Sequence, residues 1–203
     1  MSMLQEPDAR EAEENLRVIR EMMERSTKHS TFSGLSGVLA GAASIIGCLI
    51  THALDENVLN PTDRRADFLF TWMLVICFAV GADYLLTKRK AAQVGKRILS
   101  RLGKQMVTAA APGLGLGALL TLYFLQRSLL EPVFPVWMLS YGIAVCAVGL
   151  FSQREVSYLG GAFMAAGAIT LFLPPTWGLW MMAVSFGCFH IFYGIAMSRR
   201  DGW

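Results

Sequence analysis

The feature that most constrains this chain is a series of six long apolar stretches, at 32–53, 68–86, 106–125, 136–151, 158–173 and 177–197. About 20 apolar residues in a helix cross a hydrocarbon core about 30 Å thick. In lipid, only a helix lets such a segment satisfy its own backbone hydrogen bonds. The pattern therefore predicts an all-α integral membrane protein of six transmembrane helices. Only 16% of the 203 residues are charged, against about 25% in a soluble domain.

The positive charges fix an orientation. Fifteen of the 18 Lys and Arg residues fall in the head, the second loop, the fourth loop and the tail, and three in the first and third loops. Segments flanked this unevenly insert with the basic side in the cytoplasm, so both termini are expected there. The organisation expected is a helical head (1–30), a bundle (31–198) with a basic loop at 87–105, and a short tail (199–203). The head has twelve charges and no apolar core, which does not fit a cleavable signal. The basic excess is explained by topology and by contact with anionic lipid; with no recognition-helix or RNA-binding signature, no nucleic-acid partner is expected.

The head reads as an N-terminal amphipathic cytoplasmic helix. Glu13 and Arg17, Glu21 and Arg25, and Glu24 and Lys28 are spaced i,i+4. Leu16, Ile19 and Met23 form a narrow apolar stripe. The stripe is either a docking surface, for a cytoplasmic partner or a second copy, or one face of a solvated extension; it is too short for a coiled coil on its own. Val94, Ile98 and Leu102 in the basic loop repeat every four residues, which suits either a headgroup-layer segment or an ordinary cytoplasmic loop.

The chain can also be read as three repeated hairpins. Trp72-Met73-Leu74, Trp137-Met138-Leu139 and Trp180-Met181-Met182 open the second, fourth and sixth segments. The first, third and fifth carry small residues at packing spacing: Gly37 and Gly41, Gly113 and Gly117, and Gly161 and Ala165. Such pairs let helices approach closely where lipid supplies no hydrophobic drive. A triplication would resemble the parallel repeats of some transporters; the alternative is that tryptophan simply favours the interface.

Ionisable residues inside a span point to function by default. Asp83 in the second segment and His190 in the sixth lie eleven and ten residues after their tryptophans, so they sit at similar depth in the cytoplasmic half. If those helices are neighbours, the pair could relay protons or anchor a ligand. Otherwise Asp83 reaches water or a lysine, and His190 bonds to a backbone carbonyl. His52 ends the first segment and reads as interfacial. The polar stretch 54–67 reads as a solvated external loop. Cys48, Cys77, Cys146 and Cys188 all lie inside apolar segments and form no CxxC pair, so they read as packing residues and not as a disulfide or metal framework. No phosphate loop, serine elbow, paired carboxylates or zinc spacing accompanies them. No catalytic residues, cofactor or metal are expected.

Residues 23–27 (Met-Glu-Arg-Ser-Thr) and 33–41 (Ser-Gly-Leu-Ser-Gly-Val-Leu-Ala-Gly) resemble an uncharacterised family of small bacterial six-helix inner-membrane proteins with a short charged N-terminal helix. The resemblance is specific over residues 16–41 and general beyond. It implies a bacterial inner-membrane location and a family often encoded beside a winged-helix regulator, and it transfers no site residues. Together these features predict a non-enzymatic membrane protein that senses or scaffolds through its head and basic loop. The alternative is a small transporter or ligand-binding bundle using Asp83 and His190.

Overall fold

The structure is a computed structural model that describes residues 13–19, 34–57, 61–93 and 101–201. Every element among them is helical. After a helical stretch in the head (13–19) come α1 (Gly34–Asn57), α2 (Pro61–Gln93), α3 (Arg101–Gln126), α4 (Val133–Gly149) and α5 (Arg154–Thr170). The last rod is composite: a 3-10 turn (Pro175–Trp177), α6 (Gly178–Met182), a π-helical segment (Ala183–Phe189) and α7 (His190–Asp201).

Four of these rods are long and apolar enough to cross a membrane, at Gly34–Leu54, Arg64–Arg89, Arg101–Gln126 and Pro175–Arg200, and Val133–Gly149 is a shorter apolar helix. The 17 residues of α4 extend about 25 Å, near the lower limit for a span. The burial pattern is inverted relative to a soluble protein. Phe172 is 90% exposed, Phe192 70% and Phe70 67%, and only 11% of the apolar window of α2 is buried. An outward face of this size and apolarity needs lipid.

The rods form two groups. In one, α1 packs between α2 and the composite rod; in the other, α4 packs between α3 and α5. The groups meet where α6 lies on α4 and the π segment on α5. Close approach rests on glycine. A Cβ on Gly34 would overlap the Gly194 carbonyl, and one on Gly41 would lie 2.6 Å from that of Gly187. A Cβ on Gly160 would lie 2.6 Å from the Cys146 backbone nitrogen. The hydroxyls of Ser44, Thr51, Thr121 and Thr170 each donate to the carbonyl four residues back, so they need no water in the bilayer.

Several sequence expectations shift. The polar stretch 54–67 is not a loop: α1 runs to Asn57 and α2 starts at Pro61. Proline suits the first helical position, and Arg65 Nη1, now helical, donates to the Leu125 carbonyl at the end of α3 (2.9 Å). That helix closes with Leu129 N–H on Phe124 O (2.9 Å) and Ser128 N–H on Leu125 O (3.1 Å), with Ser128 at φ 59°. This is a Schellman end in which serine holds the left-handed position usually given to glycine. The basic loop also shortens, since α2 continues to Gln93 and α3 begins at Arg101; Val94 and Ile98 lie outside the described residues. Residues 199–201 belong to α7, and Arg200 bonds to Glu155 (2.7 Å) and Gln153.

The Gly161–Ala165 pair faces outward, and Gly161 has nothing within 4 Å of an added Cβ. The inward face of α5 is Val156, Gly160, Phe163, Gly167 and Thr170, so packing falls to the glycine one position earlier. The hairpins also pack unequally: α1 with α2 and α3 with α4 make broad contacts, whereas α5 meets the composite rod only lightly. Gly160→Ala should therefore lower stability by about 1–3 kcal/mol through overpacking. Gly161→Ala should be neutral or stabilising by up to about 1 kcal/mol through helix propensity. Thermal unfolding of the two variants in detergent checks this; equal melting temperatures would contradict it.

Candidate functional site

Polar side chains from four rods gather in the half of the bundle near the start of α1. Ser36 stands in the first turn of α1, where its hydroxyl donates to Asp83 Oδ1 on α2 at 2.7 Å. On the other side of α1, the His190 carbonyl lies 3.2 Å from where a Cβ on Gly37 would stand. Asp83 and His190 therefore sit at nearly the same level. No direct bond joins them among the described residues, and α1 packs against both of their helices.

The histidine partner is Tyr141 on α4, whose hydroxyl lies 2.8 Å from His190 Nε2. His190 Nδ1 lies 2.9 Å from the Phe186 carbonyl. A carbonyl only accepts, so Nδ1 carries a proton, and in the neutral ring Nε2 then accepts from the tyrosine. Phe186 lies in the π-helical segment. A π turn takes backbone carbonyls out of the α ladder, and such turns recur at functional positions; here a carbonyl bonds to an imidazole. The ring is walled by Tyr141, Phe163 and Phe186 at centroid distances of 5.4, 5.3 and 6.0 Å, and Phe163 is fully buried. Tyr193 on α7, one turn after His190, places another buried hydroxyl in this region.

The site is thus Ser36, Asp83, Tyr141, His190 and Tyr193, with an aromatic wall. It contains one carboxylate, one imidazole and two phenols, which can hold or pass a proton or orient a small polar group. Among the described residues, no three His, Cys, Asp or Glu side chains come together in a way that could hold a metal. The four cysteines are free thiols, and Cys48 is buried.

The sequence reading missed Tyr141, Ser36 and Tyr193. A signal for Tyr141 was present: it lies in mid-segment, away from the interfaces where tyrosine concentrates, and a phenol there needs a partner. The Ser36–Asp83 bond joins residues 47 apart and has no local signature.

The remaining candidates take other roles. Gly37 and Gly41 face the composite rod, and Gly113 and Gly117 face Ser140 and Ala144 on α4. In the head, Leu16 and Ile19 are 66% and 53% exposed, while Met23 lies outside the described residues. Arg17 pairs with Glu14 at 3.8 Å, one position from the Glu13 that the i,i+4 rule selects. Val94 and Ile98 are likewise outside the description. His52 stands at the opposite end of α1, edge-on to Trp180 at 5.2 Å.

Tyr141→Phe would remove the donor to a shielded acceptor, which costs about 1–3 kcal/mol. Asp83→Asn keeps an oxygen for Ser36 and should cost less than Asp83→Leu. Thermal unfolding of the purified variants measures both; an unchanged Tyr141→Phe protein would contradict the bond.

Comparison of the chain with family models, with curated proteins and with solved structures returns no match.

Proposed function

We propose that this is a non-enzymatic sensor or scaffold of the bacterial inner membrane, with six spans and both termini cytoplasmic. In this reading the polar centre sets the state of the bundle, and the cytoplasmic head with the basic loop passes that state to a partner. The observation that carries the reading is the position of Ser36. It bonds to Asp83 at 2.7 Å within the first turn of α1, the helix that directly follows the head. The neighbouring Gly34 and Gly37 pack on Gly194 of α7, the helix that bears His190. A change at either ionisable group would therefore move the point where the head joins the membrane.

Two further observations support it. The described part of the head presents Leu16 and Ile19 to solvent, as a docking stripe would. The head carries seven acidic residues against five basic ones, a balance that favours contact with the basic loop.

The transport alternative is favoured by the similar level of Asp83 and the Tyr141–His190 pair in the bundle. The cavity described below lies at the far end of the bundle and does not include either residue, so the sensor reading is preferred.

The test is hydrogen–deuterium exchange of the full chain in nanodiscs. Asp83→Leu should increase exchange across the head and the first turns of α1 by about tenfold, equivalent to about 1.4 kcal/mol of lost local stability. Unchanged exchange there would overturn the coupling.

A further inference from the structure

A cavity of about 320 Å³ opens at the end of the bundle opposite the start of α1. Its size lies at the lower end of the range for small-molecule sites. Four regions build it: the last two turns of α1, the first turns of α2, the α3–α4 connection with the first turn of α4, and the start of the composite rod. The apolar lining is Phe68, Leu130, Phe134 and Leu179, with Trp180 beside them. Phe68 and Phe134 meet edge-on at 6.0 Å, and His52 braces the Trp180 ring edge-on at 5.2 Å.

The polar lining is unbalanced. Asp67 and Glu131 bring two carboxylates from different elements, and Arg64 brings one guanidinium. Trp180 is 44% exposed, so part of its ring is open. Two carboxylates in a lining with an indole and two phenyl rings suit an organic cation. The charge is attracted by the acids and the aromatic faces, and an apolar body fits the floor. A simple inorganic cation would leave the aromatic surface unused, and an anion would face two like charges.

From this geometry we infer that the far-end cavity is a binding site for a small organic ammonium compound. The ammonium group is held by the carboxylates of Asp67 and Glu131, and an aromatic or short alkyl body lies on Phe68, Phe134 and Trp180. The same chemistry is offered by a free amine and by the ammonium of a phosphatidylethanolamine headgroup. The inference does not depend on the head or on the polar centre around His190.

The test uses the full chain in nanodiscs of phosphatidylglycerol, titrated with benzyltrimethylammonium by calorimetry. Saturable 1:1 binding is expected, with no binding of the neutral probe benzyl alcohol. Asp67→Asn and Glu131→Gln should each weaken binding about tenfold, and Trp180→Leu about fivefold. Glu131 is exposed, so Glu131→Gln is the variant least exposed to folding defects, and its unliganded melting temperature serves as the control. Absence of saturable binding, equal binding of benzyl alcohol, or wild-type affinity in the Asp67→Asn/Glu131→Gln double variant would each overturn the site. Repeating the titration in nanodiscs that contain phosphatidylethanolamine separates the sources. Competition assigns the site to the headgroup, and undiminished binding assigns it to a free amine.

Discussion

The rest of the structure depends on the backbone contact between α1 and the composite rod. Gly34, Gly37 and Gly41 on one side meet Gly187 and Gly194 on the other. At these positions side chains would hold the helices apart, and in lipid no hydrophobic force would compensate. The contact brings the start of α1 beside α7, the helix that bears His190. It also leaves the opposite side of α1 for α2, which brings Asp83 to Ser36. The second group is assembled on the same principle, with Gly142, Gly160 and Gly167 seating α5 on α4, and α4 supplies Tyr141.

This arrangement explains how a carboxylate and an imidazole are held in an apolar bundle. A buried polar group without a partner costs several kcal/mol in hydrocarbon. Asp83 accepts from Ser36, and His190 is satisfied at both ring nitrogens. The centre is therefore anchored from several helices at once, and a change in protonation or ligation at one group must be answered by its partners. The composite rod is suited to respond, because its π segment ends directly before His190 and supplies the carbonyl that orients the ring.

Much of the fold was legible in the sequence, and the reasons are physical. Long apolar stretches can only be helices in lipid, so helical class and membrane character follow from composition and length. The positions of Asp83 and His190 relative to Trp72 and Trp180 gave a common depth from helix rise alone. What the sequence did not carry was neighbourhood. It offered Asp83 and His190 as a pair, but α1 packs against both of their helices and each bonds to a residue on another element. It paired Gly161 with Ala165 by spacing, although the face of α5 that meets α4 is set one residue earlier. Polar residues at 61–67 read as loop because their charges mask a helix whose arginine is satisfied by a carbonyl of α3. Leu16 and Ile19 of the head stripe are exposed, whereas Met23, Val94 and Ile98 lie outside the described residues.

The central claim is that His190 is anchored inside the bundle between the Phe186 carbonyl and the Tyr141 hydroxyl. The most direct measurement is solid-state NMR of the chain in bilayers with nitrogen-15 histidine, with His190 identified by its loss in a His190→Gln variant. The account predicts at neutral pH a protonated Nδ1 and a hydrogen-bonded, unprotonated Nε2 whose resonance moves in Tyr141→Phe while Nδ1 stays. An Nε2-protonated ring, or an Nε2 resonance that ignores loss of the tyrosine hydroxyl, would contradict it.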